Sequence, residues 1–262
     1  MKLCAIYNCW DDWNFFKYSL KNITPLVDGV IIVGSTRSNY GEISPIPEWV
    51  LDSTNFFLRE PQFGSARESE TDKRNYGLMK AKQAGFTHFL TLDADELYEH
   101  EQFLKAKERF HVEHLDGLVC PTQVYFGSPH LTIGFDGTRV PFIHKLTSRI
   151  THCLNKNYPH AWDGRIRVDP TRQLNINSGV EYTEDVICHH FSWTRGNYEK
   201  KIRNSTARTN LERSCIRNGL VSPKEGDFCE YYQKPLVRAT VDFGIPEYGS
   251  NESNNTTLYK DL

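Results

Sequence analysis

Three carboxylates fall within four residues of this chain: Asp93, Asp95 and Glu96, in the run Leu90-Thr91-Leu92-Asp93-Ala94-Asp95-Glu96. Carboxylates grouped in this way can hold a divalent cation, fix hydroxyl groups or accept a proton. The apolar segment His88-Phe89-Leu90-Thr91-Leu92 precedes them, follows Gly85 and stops abruptly at charge, so it reads as a short buried strand. A strand that ends in clustered acids places them at the carboxyl edge of a sheet, where open α/β folds bind ligands. Alternation along Asp93-Ala94-Asp95 turns both aspartates one way and Ala94 the other. Like charges this close repel, so something positive must sit between or beside them. A divalent metal carrying a phosphate is one economical answer. A polar loop after a strand is the alternative.

The elements that must position these acids alternate along the first hundred residues. Residues 3–7 read as a first strand, with a loop at 8–12. Trp13, Phe16, Leu20 and Ile23 recur at helical spacing, and Asp11 or Asp12 can cap that helix. Asp28-Gly29 turns the chain into Val30-Ile31-Ile32-Val33, apolar throughout as in a strand covered on both faces. A polar loop over 34–47 lacks the Gly-Lys-Ser/Thr of a phosphate-binding Walker loop. Residues 55–58 form a third strand candidate. Ser69-x-x-Asp72 resembles a capping box, and the helix it opens runs through Leu78 and Ala81 to Gly85. This order predicts a parallel, doubly wound α/β half. Beyond residue 101 the pattern changes: a helix over 103–110, strands over 118–126 and 142–146 flanking a Gly-rich turn region at 127–139, a strand over 186–191 and one long helix over 194–218. Mixed or antiparallel strands added to the sheet account for it.

These residues resemble a small glycosyltransferase with the GT-A fold, of the broad family-2 type. The hydrophobic strand followed by Asp93-Ala94-Asp95-Glu96 carries the likeness, together with Lys73-Arg74-Asn75-x-Gly77-Leu78 upstream and His190-x-Ser192-Trp193-x-Arg195 downstream. The similarity covers roughly residues 1–100 with a second patch near 186–203. It implies one domain over 1–248, with a nucleotide-sugar half (1–101) and an acceptor half (102–248), and a flexible polar tail over 249–262. It implies that Asp95 binds Mn²⁺ or Mg²⁺ bridging the donor's two phosphates, with His190 completing the shell. Asp93 would hold the ribose or assist the metal, Glu96 would orient the donor sugar, Arg74 would reach the diphosphate or the sugar, and Tyr7 and Asn8 would face the base. A UDP-sugar is the donor implied. Ser35-Thr36-Arg37, however, stand where family members often carry an Asp that reads uracil. Inversion at the anomeric carbon requires a carboxylate base. Asp163, within His160-Ala161-Trp162-Asp163-Gly164, is the choice, with Glu181 and Asp185 as rivals.

Composition sets outer limits. The chain has 262 residues with a formal net charge of −2, so no global excess calls for nucleic acid or membrane. That balance hides two basic stretches, each with seven basic residues and two acids, at 139–172 and 195–217. They suggest either solvated faces or an anionic acceptor such as a phosphorylated glycan, a lipid head group or DNA with hydroxymethylated bases. Seven widely spaced cysteines without a C-x-x-C pair read as reduced thiols of a cytoplasmic protein, and no apolar run suits a membrane span or signal peptide. A haloacid-dehalogenase-like phosphatase would need its Asp-x-Asp on the first strand with Thr or Val two residues on, where this chain has Leu97. A non-catalytic sugar- or nucleotide-binding module on the same fold is the remaining alternative.

Overall fold

The computed structural model describes residues 1–62, 64–153, 157–158, 167–176, 178–194, 198–204, 210–219 and 223–247. Its parallel half contains β1 (Leu3–Cys9), α1 (Trp13–Ile23), β2 (Gly29–Gly34), the single turn α2 (Glu48–Leu51), β3 (Phe56–Leu58), α3 (Ala66–Gln83) and β4 (His88–Asp93). The strands lie in the order β3-β2-β1-β4. Asn8 pairs with Asp93 and Cys9 with Gly34, so β1, β2 and β4 end together on one edge.

A mixed extension continues the same sheet. It comprises β5 (Glu96–Leu97), α4 (His100–Val112), β6 (Gly117–Phe126), β7 (Leu131–Lys145), β8 (Arg167–Val168), β9 (Val180–Tyr182), β10 (Cys188–Trp193), α5 (Tyr198–Asn204) and α6 (Asn210–Gly219). The sheet then runs β4-β7-β6-β10-β5. β7 lies antiparallel to both β4 and β6, and β10 is parallel to β6. Three short strands follow: β11 (Phe228–Cys229), β12 (Lys234–Pro235) and β13 (Val237–Arg238), the last pairing with β7. The α/β class read from the sequence, a doubly wound parallel half with a mixed extension, is the architecture observed.

Local sequence explains the elements. Trp13, Phe16, Leu20 and Ile23 are all buried and give α1 its inner face. Asp12 is its N-cap residue but makes no side-chain capping bond. The capping box of α3 is Ser65 with Glu68, in place of the expected Ser69 and Asp72. Ser65 Oγ accepts from the Glu68 N–H at 3.2 Å, and Glu68 Oε2 accepts from the Ser65 N–H at 2.7 Å. Ser69, one turn inside, donates to the Gln62 carbonyl. Gly77 lets α3 lie close on the sheet, because a Cβ there would stand 2.4 Å from Ile6 Cγ2. Gly85, at φ +74°, ends that helix as expected.

One expectation for the second half is corrected. The region 127–139 is largely strand: β6 and β7 form one long hairpin, and the glycines of β7 fall where the β6–β7 register shifts. Of the helix expected over 194–218, the described residues show α5 and α6, and 205–209 lie outside them. The expected tail over 249–262 also lies outside them. Among the described residues no helix is long and apolar enough to cross a membrane, and all seven cysteines are free thiols.

Candidate functional site

At the common carboxyl edge of β1, β2 and β4 lies a cleft of about 170 Å³. Asn8, Trp10, Asp11 and Asp12 reach it from the end of β1, Glu70 and Lys73 from α3, Asp93 and Asp95 from the end of β4, and Lys201 from α5. The edge predicted from the strand order is therefore where the acids and a concave surface meet.

The acids are not free. β4 ends at Asp93 and residues 94–95 form a turn, so strand alternation does not extend to Asp95. Both aspartates line the cleft, but Ala94 does too. Asp93 Oδ1 accepts from Arg74 Nη2 at 3.0 Å, and Asp93 Oδ2 accepts from Arg172 Nη2 at 2.5 Å. Burial would raise the Asp93 pKa, but the Arg172 and Arg74 guanidiniums outweigh it and hold the carboxyl well below the ordinary range. Glu96 is buried, with Arg172 donating to Oε1 at 2.6 Å and Oε2 at 2.9 Å. Its Oε2 also accepts from the Asp93 N–H. Glu96 is thus a brace inside the protein and does not meet the expectation that it orients a donor sugar.

Asp95 faces a different set of cations. The turn carries the chain into β5, which pairs with β10 and sets His190 opposite Glu96. His190 Nε2 lies 3.4 Å from Asp95 Oδ1, and Lys201 Nζ lies 3.2 Å from Asp95 Oδ2. Burial opposes charge on His190, but the Asp95 carboxylate raises its pKa above the ordinary value. The fold thus brings together Asp95 and His190, which the sequence motifs paired across almost a hundred residues.

The motif on α3 has four distinct tasks. Lys73 is 3% exposed and donates to Ser35 Oγ at 3.3 Å, beside the position where an Asp was noted as missing. Burial lowers its pKa while Glu70 pulls the other way. Arg74 is buried against Glu70 and Asp93, so it secures the acid cluster instead of reaching into the cleft. Asn75 clamps the backbone of His152 in both directions, at 2.7 and 3.0 Å. Gly77 sets the distance between helix and sheet.

Other expectations are relocated. Tyr7 belongs to the core, its hydroxyl 2.7 Å from Ser19 Oγ, so it does not face a base. Its neighbour Asn8 points the other way and lines the cleft, as strand alternation requires. Asn8 Oδ1, Asn39 Oδ1 and Trp10 Nε1 are buried without a hydrogen-bond partner among the described residues, and all three residues border the cleft. Glu181 and Asp185 pair with Arg109 at 2.8 and 3.5 Å. Glu181 sits on β9 beside the start of β6, away from the cleft edge. Asp163 and Arg195 lie outside the described residues.

Sequence reasoning missed Arg172 and Lys201 as members of the site. The repulsion among the acids did signal that cations must be present, but that charge was assigned to a metal.

The residues present do not fit a divalent metal. At a phosphate site such an ion needs one or two carboxylates from the protein, with water and phosphate oxygens completing the shell. Asp93 and Glu96 spend their oxygens on Arg74 and Arg172, and Asp95 faces an ammonium. Among the described residues, no group of three or more His, Cys, Asp or Glu side chains could hold a metal ion.

No family model matches this sequence, and no curated protein does either. Among solved structures, the chain is similar to S. aureus TarS 1-349, at 15% identity and a TM-score of 0.44 over 84% of this chain and 70% of that one. It is similar to the complex of TarS 1-349 with UDP-GlcNAc, at 15% identity and a TM-score of 0.41 over 84% and 71%. Against the longer S. aureus TarS chain the identity is 14% and the TM-score 0.43, and the match spans 43% of that chain.

Proposed function

We propose that this chain is a GT-A-type glycosyltransferase that moves a sugar from a nucleoside diphosphate donor to an acceptor hydroxyl. The observation that carries the proposal is Lys73: a buried ammonium on the cleft wall, with Ser35 Oγ as its hydrogen-bond partner. Holding such a charge out of water is costly unless an anion completes its shell. A donor diphosphate would supply that anion, and the amide oxygens of Asn8 and Asn39, without a partner among the described residues, suit the donor groups on the edge of a nucleobase.

In the reaction, the bond from the anomeric carbon to the phosphate oxygen breaks and its electron pair leaves with the diphosphate. The acceptor oxygen forms the new bond on the opposite face, giving inversion, and its proton passes to a carboxylate. Asp163 is the proposed base. Fixed cations around the cleft stabilise the departing charge without reorganisation.

The basic stretches give little support to an anionic acceptor or DNA. Among the described residues of these stretches, Lys145, Lys200, Arg203 and Arg217 pair with Asp116, Asp11, Glu42 and Glu199, and Arg172 is spent on Asp93 and Glu96.

The test is a thermal-shift screen of nucleotide-sugars, starting with UDP-GlcNAc, followed by measurement of nucleoside diphosphate release. The proposal expects one donor to raise the melting temperature of the wild type and much less that of Lys73→Met, with slow release of the diphosphate to water. Binding without release would favour a non-catalytic module. If no nucleotide-sugar stabilises the wild type, the proposal fails.

A further inference from the structure

We infer that the Lys201 ammonium, and not a divalent metal, supplies the positive charge opposite Asp95 that receives the donor's diphosphate. The inference rests on the nucleotide-sugar reading above and departs from the metal dependence that the sequence motif implies.

The first support is the neutralisation of the acids. Each carboxylate of the motif already faces a fixed cation: Arg74 and Arg172 at Asp93, Arg172 at Glu96 and Lys201 at Asp95, where the His190 imidazole also lies. An added dication would have to displace Lys201 from Asp95, because arginines already hold Asp93 and Glu96. The second support is the way Lys201 is held. Its ammonium donates to Asp95 Oδ2 and to Ser192 Oγ, and lies 5.5 Å from the centre of the Trp193 ring. Asp95, Ser192 and Trp193 come from two different segments, and together they aim one amine at the cleft that Lys201 lines. The third support is Lys73 on α3. It brings a second ammonium to the same cleft and has no carboxylate within ion-pair distance among the described residues.

Two ammoniums from two helices can contact separate oxygens of a diphosphate. An ammonium has three rotatable donors and acts as a compact point charge, so it can follow the phosphate as charge accumulates there. When the anomeric carbon–oxygen bond breaks, the electron pair moves onto the phosphate oxygen, and Lys201 and Lys73 hydrogen-bond the diphosphate that leaves. Asp95 acts in this scheme as a positioning residue for Lys201.

Calorimetric titration of the full chain with UDP, in EDTA and in excess Mn²⁺, tests the inference, with Mn²⁺ alone as a third titrant. The expected result is equal UDP affinity in both buffers and no binding of Mn²⁺ alone to the wild type. Lys201→Met should weaken UDP binding about tenfold or more in EDTA, as expected for loss of a hydrogen bond to a charged group, while Lys201→Arg retains most of it. UDP binding that requires Mn²⁺ overturns the inference and leaves the donor reading intact. Failure of UDP and of every other nucleoside diphosphate to bind in either buffer overturns the donor reading, and this inference with it. Should Lys201→Met not fold, the wild-type comparison of EDTA with Mn²⁺ decides alone.

Discussion

Arg172 is the residue on which the acid cluster depends most. Its side chain is buried and its guanidinium spans Asp93 and Glu96, which come from opposite sides of the turn that also carries Asp95. A bidentate, planar donor suits that task and a lysine does not. Removing it leaves two carboxylates without their main counter-charge in a low-dielectric setting. Arg172→Met should therefore lower stability by about 3–5 kcal/mol, with Arg172→Lys recovering only part of it, as measured by urea denaturation. An effect below about 1 kcal/mol would show that the pair contributes little beyond local order. The same substitution should raise the Asp93 pKa, because its largest lowering influence is removed. The identity of Asp93 and Asp95 as site residues was legible in the motif. The identity of their partners was not, because Arg172 and Lys201 are separated from them by about eighty and a hundred residues of chain, and no local spacing rule spans that distance.

At the level of elements, α3 and the β4–β5 turn form the working unit. α3 presents Lys73 to the cleft, Arg74 to the acids and Asn75 to the backbone of His152, three successive residues with three directions. This works only if the helix sits at a fixed height over β1, and Gly77 sets that height against Ile6 and Val33. Gly77→Ala improves helix propensity on an open surface. Here the added methyl overlaps Ile6 Cγ2, so the expected outcome is a net loss of about 1–3 kcal/mol and weaker donor binding. Unchanged stability and unchanged binding in that variant would show that the helix position is not critical. Elements of the parallel half were readable because their periodicities are long and their caps local. The shift of the capping box from Ser69 to Ser65 shows the limit: both positions carry a Ser with an acid three residues on, and only the structure shows Ser65 closing the box with Glu68 while Ser69 Oγ is spent on the Gln62 carbonyl. The β6–β7 hairpin was harder to read, since glycines that mark a turn in sequence also serve at irregular points of a long strand pair.

For the whole molecule, the buried histidines set the response to acid. His144 is held by the Tyr158 hydroxyl at 2.7 Å and burial pushes its pKa down to about 3. His189 lies 2.9 Å from the Tyr125 hydroxyl and burial takes it to about 4. Both are neutral when folded and protonate near pH 6.5 when unfolded, so the unfolded chain binds more protons below that pH. The stability these two groups contribute should thus be fully present above about pH 6.5 and be lost as the pH drops toward 4, with unfolding near pH 5 taking up roughly two protons from them, while His190, whose pKa Asp95 raises, works the other way. The lowered pKa of Asp93 adds a further loss only at still lower pH, as its carboxylate protonates. Urea midpoints that stay flat between pH 7 and 5 would contradict this account.

The sequence alone determined the class of fold and the edge where chemistry belongs. Strand and helix periods, caps and an acid-terminated strand are local features, and the order of elements restricts how they can join. It also determined that the acids need positive partners, because that follows from Coulomb repulsion without knowledge of position. Only the tertiary structure decided which cations answer them. β10 returns beside β5, α5 reaches the cleft, and Arg172 bonds the acids on either side of the turn. Those contacts depend on how distant segments pack, and packing of that kind leaves no period or spacing in the chain to read.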